Sequence, residues 1–208
     1  MFILGLDPSL TGYGWCIFDS DAPSFVFDKG RWKTTPKELF VTRYISHRES
    51  IRELLIKNPD IKNVGIESPP FGEMWSEGLY GLFLFAIEAI YSEKRNVYFF
   101  DPLTVKSRAK EIIQRNKGKM FKSDMIKAAK KMTGIGRWNA DESDAFHVSF
   151  LTYRFVSFLK GTLLEENLTT KEHWIFKGIK EFKRTGNVIK RGMCFKENDR
   201  YFIFNEEI

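Results

Sequence analysis

The sequence predicts an α/β fold: a mixed five-stranded sheet flanked by helices, with a small β-rich appendage after it. Three observations carry this. Strand-like and helical patterns follow in the order three strands, helix, strand, helix, strand. Two further helical segments close that unit. After Lys160 the texture changes to short alternating runs separated by turn residues. The boundaries expected from this are a domain over 1–160 and a β-rich extension over 161–208.

Phe2–Asp7 is a short apolar run ending in an acid, and Pro8, Ser9 and Gly12 then mark a turn. Gly12–Ser20 and Ser24–Trp32 read as the second and third strands of an antiparallel meander. From Pro36 to Lys57 the apolar residues Leu39, Phe40, Tyr44, Ile51, Leu54 and Leu55 have helical spacing, with Pro36 suited to a first turn. Val64–Ser68 is a fourth strand, again ending in an acid, Glu67. Gly78–Glu93 is a strongly apolar helix and Asn96–Phe100 a fifth strand. Ser123–Met132 reads as a short helix capped by Ser123, and Asp141–Leu159 as the last long one. In the tail, the segments 174–184, 187–196 and 200–206 look like strands around an ENDR turn.

The bulk numbers narrow the class. With 208 residues, 43% of them hydrophobic, the chain can bury one sizeable core. A formal charge of +6 suggests a polyanionic partner. Two cysteines, Cys16 and Cys194, do not make a disulfide framework. The N-terminus lacks a basic leader region and meets Asp7 early, and the longest apolar stretch, Leu79–Tyr91, contains Glu88 and is too short for a bilayer. The expectation is a soluble protein with no membrane partner, in a bacterial cytoplasm or, for a phage-encoded chain, in that of its host.

The stretch Asp141–Phe150, DESDAFHVSF, puts acids at the start of a helix apolar enough to be buried. A helix start explains some of this: Asn139 can cap, and acids in the first turn suit the dipole. It does not explain Asp7 and Glu67 at the ends of the first and fourth strands. Asp141 and Asp144 are three apart and share a helix face. If that helix packs beside the first strand, four carboxylates converge and cannot all stay ionised unaided. Divalent cations with oxygen preference, Mg²⁺ or Mn²⁺, resolve the repulsion, and two such ions suit phosphodiester hydrolysis.

GLDPSLTGYGW from Gly5, Ile66-Glu67, and DESDAFHV from Asp141 together resemble the RuvC-type Holliday junction resolvases of the ribonuclease H-like superfamily. The likeness runs from about Phe2 to Tyr153. It implies the ribonuclease H-like fold and a crossover junction endodeoxyribonuclease. Such an enzyme nicks four-way DNA in pairs and leaves 5′-phosphates and 3′-hydroxyls. It also implies Asp7, Glu67, Asp141 and Asp144 as metal ligands, Asp7 bridging two ions. Lys106, in TVKSRAK, and Lys122, in FKSDMIK, match basic positions of the family. Phe71 stands one residue from the family's junction-wedging aromatic. The family dimerises through the helix matching Gly78–Tyr91, so a homodimer is implied.

From Lys106 to Lys131 there are ten Lys/Arg and two acids, a net +8 within a chain of +6. Lys117, Lys119 and Lys122 cluster in the loop-like RNKGKMFK, where they suit DNA phosphates. His147 follows Asp144 by three and is a candidate for helping at the metal site, against a structural role. Rival readings are a related nuclease acting on RNA or other branched DNA, and a non-catalytic junction-binding module. The latter predicts loss of an acid, and all four are present. An actin/Hsp70-like ATPase also has an Asp before a Gly-rich turn, but needs a second phosphate loop, and none is readable here.

Overall fold

The computed structural model describes residues 1–68, 77–115, 118–170, 172, 173, 176, 193–197 and 200–204. Strands β1 (Phe2–Asp7), β2 (Gly12–Asp19) and β3 (Val26–Lys33) form the antiparallel meander. β4 (Asn63–Glu67) then pairs parallel with β1, and β5 (Asn96–Phe100) parallel with β4. This is the mixed five-stranded sheet expected. A hairpin of β6 (Met193–Glu197) and β7 (Arg200–Phe204) continues it, because β7 pairs parallel with β5. The order across the sheet is β3-β2-β1-β4-β5-β7-β6. These two strands therefore lengthen the main sheet and do not stand apart from it. Phe176, inside the expected strand 174–184, has helical backbone, and its neighbours 174, 175 and 177–184 lie outside the described residues.

Helices cover both faces. α1 (Phe40–Lys57) and α2 (Glu77–Ser92) lie on one, where Leu4, Leu6, Val64 and Ile66 from the strands meet Ile51, Leu55, Leu82 and Ala86. α3 (Pro102–Ile112), α4 (Lys122–Thr133) and α5 (Ala140–Leu159) lie on the other, with Ile3, Cys16 and Phe18 against Ala145 and Phe146. The alternation Leu4/Leu6 against Ile3/Gly5/Asp7 is the period of two that a strand imposes. It turns Asp7 toward the α5 face, and the same count along β4 turns Glu67 with Gly65.

Among the helix starts that differ from expectation, three have a readable physical cause. Thr35-Pro36-Lys37-Glu38 forms a turn, with Glu38 N–H donating to the Thr35 carbonyl at 3.1 Å, so α1 begins at Phe40. Proline at the second turn position is pre-set for that geometry. α3 was not expected as a helix. It is opened by Asp101, whose carboxylate accepts from Leu103 N–H, and by Pro102 at its first position. α4 begins at Lys122, not Ser123, with Phe121 as the cap residue and its N–H donating to Asp124 Oδ2 at 3.0 Å.

α5 approaches the sheet over glycines. A methyl on Gly5 would stand 2.1 Å from the Ala145 carbonyl oxygen, one on Gly14 2.2 Å from the Asp141 carbonyl, and one on Gly65 2.0 Å from Thr152 Oγ1. Gly5 pairs directly with Gly65, and Gly14 with Asp7. A larger residue at any of the three would lift the helix off the strands. Beyond α5, the chain is tied back by Glu172, which is fully buried and receives Arg154 Nη2 at 2.6 Å and Arg108 Nε at 2.9 Å.

Gly5→Ala and Gly65→Ala are each expected to lower stability by about 2 kcal/mol or more, since the added carbon meets backbone or a fixed side chain. Gly136→Ala, with open space around it, is expected to change stability by no more than about 1 kcal/mol. Urea unfolding of the three variants checks this; equal effects at Gly5 and Gly136 would refute the close-packed reading of α5.

Candidate active site

β1 and β4 end side by side, one residue beyond the Leu6–Ile66 pair. This brings Asp7 and Glu67 to neighbouring strand ends on the α5 face. Across β1, Asp7 pairs with Gly14, and Gly14 with Arg31 of β3. The turn after Asp7 is held at the Leu10 carbonyl, which accepts from Thr34 Oγ1 and lies 3.4 Å from His47 Nε2. α5 starts over Gly14 with a capping box: Asn139 Oδ1 accepts from Glu142 N–H at 2.8 Å, and Glu142 Oε2 accepts from Asn139 N–H at 3.2 Å. Glu142 thus belongs to the helix start. Asp141 and Asp144, on the stripe facing the sheet, join Asp7 and Glu67.

The four acids act on one another electrostatically. Burial pushes the Asp7 carboxyl well above the usual carboxylate range, and the charges of Glu67, Asp144 and Asp141 push it further. Glu67 is raised by burial and by Asp144, against Lys106 and Lys122. Asp144 is raised to about 6 by burial, again opposed by Lys122 and Lys106. Asp144 Oδ1 is buried and accepts no hydrogen bond. Asp141 is held instead by Arg31 Nη1 at 3.0 Å, with Lys122 Nζ at 3.5 Å from its other oxygen. Among the described residues, no three His, Cys, Asp or Glu side chains form a ready cage for an ion. Bare carboxylates repel, and Asp141 is taken up by two cations. The donors suit a hard divalent cation nonetheless, being all carboxylate oxygens with one of them buried and unpartnered.

The basic residues divide. Lys106, half-buried on α3, and Lys122, at the start of α4 and 72% exposed, both act on the carboxylates. Lys119 is exposed between α3 and α4 and is not among the charges acting on them. Lys117 and Phe71 lie outside the described residues.

His147 does not serve the carboxylates. Its ring is buried, and Nε2 lies 3.0 Å from the Met125 carbonyl of α4. Only a protonated Nε2 can donate there, which leaves Nδ1 as the bare nitrogen of a neutral ring. Burial holds its pKa down, to about 4, so it stays neutral and acts as a tether between α4 and α5.

Three charged residues at or beside the site were not read from the sequence. Asp101 follows the next parallel strand, raises Glu67 by its charge, and is buried as the cap of α3. Its signal was the Asp-Pro pair before a helical run. Arg31 and Lys29 sit two apart on β3 and face α5, where Lys29 Nζ meets Glu142 Oε2 at 2.6 Å. Their common face was readable from strand period; the register that sets them over α5 was not.

No protein-family model and no curated protein matches the sequence. Solved structures do. The Thermus thermophilus RuvC structure aligns with a TM-score of 0.61 at 17% identity, covering 78% of this chain and 98% of that chain. T. thermophilus RuvC in complex with Holliday junction substrate aligns with a TM-score of 0.59 at 18% identity, with the same coverage. The fold is RuvC-like and ribonuclease H-like.

The carboxylates make a prediction about pH. Unfolded, Asp7 titrates near ~4. Folded, it holds its proton to higher pH, so the folded state binds more protons and stability falls as pH rises above that value. Asparagine copies the protonated form. In EDTA, Asp7→Asn is expected to match wild type below about pH 4 and to be the more stable of the two by a margin that grows toward about pH 8. Unfolding curves across that range check it; a gap that fails to open with pH would show that Asp7 is not buried among like charges.

Proposed function

We propose that the chain is a metal-dependent, structure-selective DNA endonuclease that resolves four-way junctions by paired phosphodiester hydrolysis. The observation that carries it is the meeting of Asp7, Glu67, Asp141 and Asp144 from two strand ends and one helix start, with Asp144 Oδ1 buried and unpartnered. A structural role would favour neutral or paired groups there. The RuvC structure that shares this fold in complex with Holliday junction substrate supports branched DNA as the substrate.

In this reading the four acids would hold Mg²⁺ or Mn²⁺, two per site. Bound divalent ions supply Lewis-acid activation of water and neutralise charge on the phosphate. The chain's own residues do the rest. Asp141 would join the ligand set while keeping its pair with Arg31. Lys122, and Lys106 from α3, offset charge developing on the phosphate oxygens. Lys117 and Lys119 would bind neighbouring phosphates, and Phe71 would press on junction bases. Residues 1–160 would be the nuclease domain and 161–208 a C-terminal β-rich extension. No helix among the described residues is long and apolar enough to cross a membrane. The cytoplasm that holds such a substrate would be the place of action.

The test is incubation of wild type and Asp7→Asn with a four-way junction, a plain duplex and an RNA–DNA hybrid, each in Mg²⁺, Mn²⁺ or EDTA. Paired nicks confined to the junction are expected, absent in EDTA and slowed at least ~10²-fold in Asp7→Asn, the scale of losing one charge-stabilising group. Binding without cutting under any metal would sink the enzyme, and cutting of the hybrid alone would change the substrate.

Paired nicks need two sites, which a two-fold dimer supplies. The α1–α2 face suits a second copy. Phe40, Val41 and Ile45 on α1 and Leu84 on α2 are exposed apolar residues at helical spacing. The 24.4 kDa chain is expected to run at about twice that mass in light scattering, and Leu84→Asp to return it to one copy. A monomeric wild type would overturn the dimer.

A further inference from the structure

The carboxylate site has basic residues on two flanks. The Lys106–Lys122 flank belongs to the function proposed above. The other lies between β3 and the first turn of α5, where a cleft of about 380 Å³ is lined by Lys29, Arg31, Arg137, Trp138, Asn139 and Glu142. We propose that this cleft binds a backbone phosphate of the nucleic-acid strand whose neighbouring phosphate meets the carboxylates. The proposal deepens the nuclease reading and rests on it.

Charge comes first. Three cations line the cleft against one acid, beside a site dominated by carboxylates. The acid, Glu142, is already committed to Lys29 at 2.6 Å and to the Asn139 N–H. What remains uncompensated is positive. The helix end adds to this only through its dipole, because the capping box already satisfies the Asn139 and Glu142 amides.

Preorganisation comes second. Lys29 is fixed twice, by Glu142 and by the Trp138 ring, whose centroid lies 4.7 Å from Nζ. Arg31 commits Nη1 to Asp141 and sits over Gly12, where a Cβ would stand 3.2 Å from Arg31 Cδ and 3.0 Å from Asp141 Oδ2. A guanidinium has further donors in its fork, so it can face a phosphate while holding a carboxylate. Cations already held in place lose little side-chain entropy on binding.

Unsatisfied groups come third. Trp138 is 8% exposed, and its indole N–H has no acceptor. That N–H lies beneath the surface, so the cleft is faced by the three cations and not by this donor. Arg137 is exposed and makes no ion pair among the described residues. A free guanidinium and two anchored cations in one concavity call for an anion with several oxygens. Arg31 joins this concavity to Asp141, so an anion in it sits beside the acids. A phosphodiester strand crossing the site supplies that arrangement, as one phosphate lies at the carboxylates and the next at the cleft.

The test uses the full chain in EDTA, so that binding is read without cutting. Wild type, Arg137→Gln and Lys57→Gln are titrated with a four-way junction and a plain duplex over a series of NaCl concentrations. Lys57 ends α1, at the opposite end of the sheet from the acids, and controls for bulk charge. Arg137→Gln is expected to weaken both DNAs several-fold and to reduce the slope of log K against log salt by about 0.9, one phosphate's worth. Lys57→Gln should leave the slope unchanged. Ethylation interference should also lose one phosphate, next to the nicked one, in Arg137→Gln alone. An unchanged slope, or equal changes in both variants, overturns the proposal. So does protection of wild type by inorganic phosphate that Arg137→Gln loses while its DNA slope stays intact, which would make the cleft a small-phosphate site. If the slope falls as expected but wild type nicks no DNA with any metal, the nuclease reading fails and the cleft stands. If wild type binds no DNA, both fail.

Discussion

Everything at the site depends on how closely α5 can lie on the sheet. Helices normally stand off a sheet by the thickness of two layers of side chains. Here Gly5, Gly14 and Gly65 remove one of those layers, and the Ala145 and Asp141 carbonyls come within what a single methyl would fill. The glycines weaken the strands by costing more backbone entropy than other residues. In return the first turn of α5 reaches the ends of β1 and β4, and acids far apart in sequence become electrostatic neighbours.

That neighbourhood is unfavourable in the chain alone. Burial and mutual repulsion raise Asp7, Glu67 and Asp144 together, and no hydrogen bond relieves Asp144 Oδ1. The fold offsets part of the cost with cations from three directions: Arg31 from β3, Lys106 from α3 and Lys122 from α4. Only Arg31 makes a close pair, and it is the least exposed arrangement of the two pairs on Asp141, since Lys122 is 72% exposed and a pair to so exposed a lysine is worth little. Ordinary core packing elsewhere has to carry this local deficit. It does so on both faces, through Ile51, Leu55, Leu82 and Ile90 on one and Val105, Met125, Leu151 and Phe155 on the other.

The sequence carried the strands well because each is a short apolar run bounded by turn residues, and β1 and β5 were read with the bounds they have. It carried helix starts poorly. Pro36 suits a turn as well as a helix, and Thr35 decided for the turn by accepting from Glu38. α3 was hidden because Lys106, Ser107, Arg108 and Lys110 mask its apolar side, leaving Val105 and Ala109 as its buried residues with Pro102. At the site, the four acids were legible because each breaks a local pattern. Arg31 and Lys29 were not, because they look like ordinary polar residues of an edge strand until register places them over α5. His147 was legible as a question, and a carbonyl one helix away answered it.

The acids that open α5 are core positions in all but chemistry. Along the helix, Val148, Ser149 and Thr152 lie against the glycines of the sheet, Ala145 and Ser149 over Gly5 and Thr152 over Gly65. One and two turns toward the N-terminus, the same stripe holds Asp144 and Asp141. The stripe runs on past the last residues of β1 and β4, so its final positions meet strand ends in place of strand middles. A helix that had only to cap itself could have kept Asn139 and Glu142 and continued the stripe with alanine. Glu142, about a quarter-turn away, points to Lys29 and is neutralised at low cost. Asp144 takes the buried direction, where charge is costly and where the strands bring two more acids, and Asp141 lies between it and Arg31. Such a stripe is consistent with a site kept at the expense of stability, whose charge is balanced in full only when a cation or a proton joins it.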